Sequence, residues 1–375
     1  MSSHPFVSVC ITVYNQSELL RENIRTILFY PGDDIEVIVS DNASEEDIEA
    51  VVASFHDSRL RYIRMPKNKG QDMNILNAIR HSLGDYILLL RTKDLIYPHK
   101  MSAALDYMRK YPDVGYFFFS INDDIDIKDY YQAEKTYHKG REAYVANDAF
   151  LVHPSCQIYK RELLDCDLYE RQINATIKYR MSSIAHSLIR MHLAAQADFR
   201  SSEIVLYRLA ENTARTPVSQ IAEGSKKSPY TPELQYPRYR VAFDFVKKVV
   251  APEDRVFVWR LLMMRWYKWI VYDYKYVNQD METHRHFGTE PEEFDPKQER
   301  KRFCEITRGM FDGLAPDEKK QLEKSLKLDT AVICLTPAYG TVSYKALRSI
   351  GRIVHWGRVM MGQQRLMERT GIEKK

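Results

Sequence analysis

Short apolar runs alternate with segments of helical periodicity from residue 6 to residue 110 of this 375-residue chain. The runs at 6–13, 35–40 and 60–64 are rich in Val and Ile, and the run ILLL at 87–90 contains no polar residue. A run in which polar and apolar residues do not alternate is typical of a strand that is buried on both faces of a parallel sheet. The alternation of strands with helices along the chain therefore predicts an α/β domain in which helical crossovers connect parallel strands.

Polar residues collect where each of the four predicted strands ends. They are Tyr14 and Asn15, Asp41 and Asn42, the segment 67–70, and the segment RTKD at 91–94. Ligands of open α/β sheets bind beyond the carboxyl ends of the parallel strands, so these four loops are expected to line one crevice. The sequence thus favours a nucleotide-type ligand site over four unrelated solvated loops.

The composition is typical of an ordinary soluble globular protein, with 45% hydrophobic and 28% charged residues. The net charge of +4 is too small to indicate a nucleic-acid partner. Five cysteines, odd in number and without CxxC spacing, favour reduced thiols in a cytoplasmic protein over a disulfide framework or a zinc site. The N-terminal segment predicts no signal peptide. The stretch 256–276 is interrupted by Arg260, Arg265, Lys268 and Asp273, which argues against a membrane span.

Four motifs together resemble the family-2 glycosyltransferases. They are VSVCITVYN at 7–15, IEVIVSDNAS at 35–44, NKGQDMNILNAI at 68–79 and GDYILLL at 84–90. The run GQDMNI further resembles the branch that contains abequosyltransferase-like enzymes of surface-polysaccharide synthesis. The resemblance implies a GT-A (Rossmann-like) fold, with a mixed, mostly parallel sheet and flanking helices. It also implies transfer of a sugar from a nucleotide-sugar donor to a hydroxyl of a capsule, O-antigen or teichoic-acid-like acceptor.

Matched to the family motifs, seven residues are expected to border the nucleotide sugar: Val13, Tyr14, Asn15, Asp41, Asn42, Asp72 and Asn74. Asp41 would accept a hydrogen bond from the base or the ribose, and a nucleotide without that donor would leave the carboxylate unpaired. For Asp72 and Asn74 a second interpretation stays open. Residues in the first turn of a helix can serve the helix itself, because a negative charge there complements the helix dipole.

The resemblance breaks down at the motif that follows the fourth strand. In the family a DxD motif holds Mg²⁺ or Mn²⁺ against the donor pyrophosphate, whereas this chain has Arg91 and Lys93 at the two acidic positions and retains only Asp94. Three hypotheses follow. Arg91 and Lys93 replace the metal, the domain is a catalytically degenerate binding or assembly partner, or Asp94 alone anchors a metal ion.

An inverting transfer also requires a base that deprotonates the acceptor hydroxyl. At the approximate family position the sequence SSIAHSLIRMH offers His186 and His192 but no carboxylate. His186 is the candidate base because the ordinary pKa of histidine lies near neutrality. The alternative is a histidine that serves helix packing, and a retaining mechanism also stays open.

The remaining sequence predicts a catalytic domain over residues 1–215, a Pro-rich loop or linker over 216–240, and a helical region over 241–375. Within the catalytic domain, 149–159 is predicted as a strand and 173–197 as one helix. The aromatic-rich stretch 255–277 is interpreted as the core of a helical subdomain, with a membrane-interface role as the alternative.

The last 35 residues, from Thr341 onward, carry eight Lys or Arg and two Asp or Glu in an amphipathic pattern. Such a helix predicts an anchor on an anionic membrane surface, and a terminal helix packed on the domain is the alternative. Together with the family resemblance, this pattern predicts a cytoplasmic protein at the inner face of the membrane. Its acceptor would then be a glycan or a lipid-linked glycan.

Overall fold

A computed structural model describes residues 4–123, 134–146, 155, 157–176, 184–209, 228, 230–281, 284–285 and 288–333. The membrane-anchor helix predicted from residue 341 onward lies outside these residues. Within the described part of the chain, no helix is both long enough and apolar enough to cross a bilayer.

The first ninety residues form the parallel half of a sheet, as the sequence predicts. The elements in order are β1 (Val7–Val13), α1 (Ser17–Leu28), β2 (Ile35–Asp41), α2 (Ile48–Ala53), β3 (Leu60–Arg64), α3 (Gln71–His81) and β4 (Tyr86–Arg91). The strands lie in the order β3-β2-β1-β4, and every neighbouring pair is parallel. The apolar residues of β1, β2 and β4 are buried, as expected for strands that are covered on both faces of a parallel sheet.

The second half of the sheet is mixed. Its elements are β5 (Leu95–Ile96), α4 (Pro98–Arg109), β6 (Tyr116–Asp123), β7 (Lys135–Tyr137), α5 (Arg141–Ala146), β8 (Gln157–Lys160), α6 (Cys166–Thr176), α7 (Ala185–Gln196) and β9 (Phe199–Leu209). The sheet continues from β4 in the order β8-β6-β9-β5, and β7 also pairs with β9. Strand β8 is antiparallel to both β4 and β6, and β6 is parallel to β9. Most strands in the described residues therefore point the same way, which confirms the predicted mixed, mostly parallel sheet.

Two predicted elements of this half differ from the structure. The predicted strand 149–159 is described only from Gln157, where β8 begins, apart from the single residue Ser155. The single helix predicted over 173–197 is wrong. Helix α6 begins earlier, at Cys166, and Ile184 has non-helical dihedral angles (φ −120°, ψ −17°) immediately before α7. A buried carboxylate from α3 binds the backbone at this point, which accounts for the start of a new helix.

The C-terminal region is helical in the described residues. It contains α8 (Pro232–Val249), α9 (Pro252–Tyr267), a π-helical turn (Lys268–Asp273), α10 (Tyr274–Val277), α11 (Pro296–Met310) and α12 (Pro316–Ile333). Helix α8 begins inside the segment predicted as a linker, and Pro232 is compatible with this because the first helical residues need no intrahelical N–H partner. Residues 210–227 and 229 lie outside the description.

The aromatic residues of the C-terminal region form its core, which confirms the first interpretation of stretch 255–277. Trp259, Tyr267 and Tyr274 are buried, and the rings of Tyr239 and Phe303 stack with centroids 5.5 Å apart. The two regions share one continuous hydrophobic core. The helices also meet through a buried hydrogen bond, in which Gln172 of α6 donates to the carbonyl of Val241 in α8 at 2.9 Å.

Candidate functional site

The register of the parallel strands brings three predicted site segments to one edge of the sheet. Val13, the last residue of β1, pairs with Asp41 of β2, and its predecessor Thr12 pairs with Arg91 of β4. The backbone N–H of Asn42 donates to the carbonyl of Val13 at 2.9 Å. Asp41 and Arg91 therefore lie on opposite sides of the end of β1, as expected for a crevice at the carboxyl ends of these strands.

The loop after β1 is tied to the loop after β2. Asn15 and Gln16 adopt left-handed conformations (φ 57° and 69°), which turn the chain sharply into α1. The side chain of Asn15 accepts a hydrogen bond from the N–H of Glu45 at 2.9 Å, and its own N–H donates to the hydroxyl of Ser44 at 2.7 Å. Asn15 is thus fixed in place by its neighbours, and the preceding Tyr14 stays partly exposed.

Asp41 is completely buried, and its carboxylate is fully engaged inside the protein. One oxygen accepts from the N–H and the hydroxyl of Ser44 at 2.9 and 2.5 Å. The other accepts from the hydroxyl of Tyr62 at 2.8 Å and from the guanidinium of Arg64 at 2.6 Å. A carboxylate offers about four lone-pair positions, so these four donors fill its capacity. A base or ribose can bind Asp41 only if one donor leaves.

Asn42 organises the loop between β3 and α3. Its side chain donates to Asn68 at 2.9 Å and accepts from the backbone N–H of Lys69 at 3.0 Å. Asn68 in turn accepts from the N–H of Gly70, whose φ of 87° suits glycine at the start of α3. The structure therefore places Asn42 as a support for the loop 68–70 at the rim of the crevice.

Asp72 and Asn74, both in the first turn of α3, make structural contacts. One oxygen of Asp72, whose side chain is 1% exposed, accepts from the N–H groups of Ile184 and Ala185 at 2.8 and 2.9 Å. This carboxylate caps the N-terminus of α7, where it also complements the helix dipole. Asn74 donates to the carbonyls of Val13 and Ser40, at 3.2 and 2.9 Å, and thereby joins α3 to the ends of β1 and β2.

Arg91 and Asp94 form an ion pair inside the loop after β4. The guanidinium of Arg91 contacts both carboxylate oxygens of Asp94, at 2.8 and 3.2 Å. Ser155 donates to the same carboxylate at 2.5 Å and accepts from the backbone N–H of Arg91 at 3.0 Å. Asp94 is completely buried, and Arg91 is held in one orientation by this bidentate contact.

The donor set around Asp94 does not fit a divalent metal ion. Mg²⁺ and Mn²⁺ require several oxygen ligands, whereas both oxygens of Asp94 already bind a guanidinium that would repel a second cation. In the described part of the chain, no group of three or more His, Cys, Asp or Glu side chains is placed to hold a metal.

Lys93 and His186 are the two other predicted catalytic residues. Lys93 is partly exposed, directly beside the Arg91–Asp94 pair in the chain. His186 lies in the first turn of α7, next to the backbone that Asp72 caps, and its side chain is 6% exposed. His192, by contrast, belongs to the packing of α7, because its ring contacts Tyr169 and Phe245 and burial lowers its pKa.

Three supporting residues escape prediction from the sequence pattern. Asn23 of α1 donates to the carbonyls of Arg91, Thr92 and Asp94 at 3.2, 3.1 and 2.7 Å, which fixes this loop. A signal for it exists, because Asn23 is a polar residue on the buried face of an amphipathic helix. Arg64 and Ser155 carry no comparable signal, since their roles depend on which strands become neighbours.

A parallel β/α half with a ligand crevice, followed by a mixed half, is the GT-A architecture of nucleotide-sugar glycosyltransferases. Residues 8–168, less than half of the chain, match the family model described as Glycosyl transferase family 2. The family resemblance seen in the sequence is thereby confirmed. The narrower resemblance to abequosyltransferase-like enzymes stays a prediction.

Curated relatives of the chain are glycosyltransferases. An uncharacterized glycosyltransferase of Methanocaldococcus jannaschii is 26% identical over 178 residues, which cover 46% of this chain and 61% of that protein. The GalNAc(5)-diNAcBac-PP-undecaprenol beta-1,3-glucosyltransferase of Campylobacter jejuni is 28% identical over 115 residues, which cover 30% of this chain and 36% of that protein. The matched segments therefore span less than two thirds of these relatives.

Among solved structures, the crystal structure of S. aureus TarS 1–349 in complex with UDP-GlcNAc is similar with a TM-score of 0.55. The similarity covers 89% of this chain and 93% of TarS at 11% sequence identity. At this identity the likeness shows the fold alone. It extends over both the α/β domain and the helical region.

Proposed function

We propose that this chain is a glycosyltransferase that moves a sugar from a nucleotide-sugar donor to a hydroxyl of an acceptor glycan. One observation carries the proposal: Val13, Asp41 and Arg91 lie side by side at the carboxyl edge of a family-2 domain. In α/β sheets this edge binds the ligand. The nucleotide would lie against the loops of Tyr14 and Asn15, and the diphosphate would lie towards the loop after β4.

In this proposal, positive side chains perform the task that a metal performs in relatives with a DxD motif. The leaving group is a nucleoside diphosphate, and a fixed positive charge stabilises the negative charge that develops on it. Arg91 is oriented by Asp94 and Ser155 before a substrate arrives, so no rearrangement is needed to aim it. Lys93 supplies a second cation from a partly exposed position.

The acceptor side of the reaction follows the family resemblance and the printed name of one relative. We propose an inverting transfer of a hexosyl or deoxyhexosyl group, with His186 as the base that takes the proton of the acceptor hydroxyl. The acceptor would be a surface glycan or a lipid-linked glycan at the inner face of the membrane. The Campylobacter jejuni relative is named for an undecaprenol-linked acceptor, which supports this choice.

The test is donor hydrolysis by the full chain, measured as nucleoside diphosphate release from UDP- and GDP-sugars with and without EDTA. We expect activity that resists the chelator and falls about a hundredfold in Lys93→Ala, the scale of losing one donor that stabilises a transition state. Lys100→Ala removes an equally charged, exposed lysine from nearby α4 and should leave the rate unchanged.

Two results would contradict the proposal. Activity that EDTA abolishes and Mn²⁺ restores would show that a metal carries the diphosphate charge. No activity, combined with no thermal stabilisation by any nucleoside diphosphate, would favour the catalytically degenerate binding partner, because a bound ligand raises the midpoint of unfolding.

A further inference from the structure

A small cavity lies next to the crevice, between the end of β3, α3 and α6, and it shares Arg64 with the surroundings of Asp41. Its volume is about 190 Å³, and its polar lining includes Arg64, Lys69, Arg80, His81 and Glu170. We propose that this cavity binds a phosphate group, either free or carried by a small phosphate monoester. The proposal concerns a second ligand site and does not depend on sugar transfer.

The charge of the lining favours an anion. Three side chains are permanent cations, and one is a carboxylate. That carboxylate, Glu170, is already paired with Arg80 at 2.7 Å, and Asp167 pairs with the same guanidinium. Lys69 is exposed and forms no ion pair with any carboxylate in the described residues. It is therefore the cation whose charge an incoming anion would balance.

Arg64 and His81 are arranged to add hydrogen bonds to such an anion. Arg64 donates to Asp41 and to the carbonyl of Ser44, at 2.6 and 2.8 Å, and its guanidinium carries five N–H groups, so donors remain for a ligand. His81 Nδ1 lies 2.8 Å from the carbonyl of Asn77, to which it must donate. His81 Nε2 is then the ring atom left to face a ligand, as a donor when the ring is protonated.

The cavity is small compared with a pocket that encloses a nucleotide. A volume of 190 Å³ lies below the roughly 300 Å³ at which pockets for drug-sized ligands begin. A phosphate group with a few carbon atoms therefore suits the cavity better than a nucleoside diphosphate. The side chains of Met65, Pro66 and Met73 also line the cavity and offer apolar contact to the carbon atoms of a monoester.

The experiment titrates the full chain with inorganic phosphate and, separately, with glycerol 3-phosphate, at constant ionic strength in chloride. Binding is read by calorimetry and by broadening of the phosphorus NMR signal. We expect saturable binding that weakens about tenfold in Lys69→Ala, because one charge-assisted hydrogen bond is lost. Lys67→Ala is the matched control. Lys67 is also exposed and two residues away, but it does not line the cavity, so its loss should change binding less than twofold.

Several outcomes would overturn the proposal. They are the absence of saturable binding with either probe, equal weakening in Lys67→Ala and Lys69→Ala, and displacement of bound phosphate by a saturating nucleoside diphosphate. The last result would place the anion in the crevice. Tighter binding of glycerol 3-phosphate than of phosphate would identify a monoester as the ligand, and equal affinities would identify the free ion. Neither result requires that the chain transfers a sugar.

Discussion

The guanidinium of Arg64 lies 2.6 Å from the carboxylate of Asp41, the residue that the family resemblance assigns to the base or the ribose of the nucleotide. Asp41 is completely buried, whereas the side chain of Arg64 is 46% exposed. Of the four donors on Asp41, Arg64 is thus the one that can leave most easily. Arg64 therefore competes with the expected ligand for the carboxylate of Asp41.

Replacing Arg64 should therefore strengthen nucleotide binding. In Arg64→Met the freed oxygen of Asp41 can accept an N–H of the base, and a net hydrogen bond of about 1 kcal/mol corresponds to roughly fivefold tighter binding. Calorimetry with UDP and GDP measures the change. Tyr62→Phe removes a neutral donor from the same oxygen and should act in the same direction. Weaker binding in Arg64→Met would instead show that Arg64 itself holds the nucleotide.

The loop that carries Arg91 and Asp94 should depend on Asn23. Asn23→Ala removes the donor for three carbonyls and should cost about 2 kcal/mol of unfolding free energy, measured by urea denaturation. Asn23→Asp keeps the shape but turns acceptor oxygens towards those carbonyls, so it should cost at least about 3 kcal/mol. If Asn23→Asp were the milder of the two changes, the assigned direction of these hydrogen bonds would be wrong.

Asp72 should act as a buried helix cap. Asp72→Ala leaves the N–H groups of Ile184 and Ala185 without this acceptor, and a loss of about 2 kcal/mol is expected in urea denaturation. Asp72→Asn keeps an acceptor oxygen and should lose less. Asp47 provides a comparison within the same chain, because it caps α2 at an exposed position by accepting from Ala50 at 3.0 Å. A cost for Asp47→Ala equal to that for Asp72→Ala would argue against the role of burial.

Glu46 should make stability depend on pH. Its pKa is held below 4.5 because Ser17 and the backbone N–H groups of Gln16 and Ser17 donate to the carboxylate at the start of α1. A carboxyl whose pKa is lowered by folding stabilises the protein above its unfolded pKa, and this stabilisation is lost as the pH falls through the folded value.

The stability difference between the parent chain and Glu46→Gln should thus be largest near neutral pH and should shrink below about pH 4.5. At this exposed position we expect a difference of only about 0.5 kcal/mol. Denaturation curves at several pH values measure it. Glu45→Gln removes a neighbouring exposed carboxylate and should show no such trend. A difference that grows on acidification would exclude the capping contact.

The parallel half of the fold was predictable because its strands are rich in Val, Ile and Leu and its helices are regular. Strand β9 was not. Its segment contains Ser201 and Ser202, both completely buried, which interrupts the apolar pattern that marks a strand. The carbonyl of Ser202 accepts from the hydroxyl of Ser120 in β6 at 2.9 Å. Local pattern rules cannot anticipate a polar residue whose partner lies 82 positions away.

In the candidate site, too, some features could be predicted from the sequence and others could not. The polar residue types at the ends of β1, β2 and β4 were predicted, because parallel strands must end at one edge. Their partners were not. From the sequence, Arg64 is expected only to be the exposed end of a strand. It contacts Asp41 because β2 and β3 pair in the register Asp41–Arg64. From the sequence, Asp72 is expected to serve the start of its own helix, yet the helix it caps begins 113 residues later.

The hydrogen bond between Gln172 and Val241 has a consequence for recombining parts of this protein. Helix α6 belongs to the α/β half in sequence, but the buried amide of Gln172 donates to a backbone carbonyl of α8, which follows the segment 210–227. A chimera joined within that segment would separate Gln172 from Val241 and would leave the apolar surface of α6 and α7 without the helix that covers it. Grafted C-terminal helices should therefore be exchanged together with α6 and α7, as one building block.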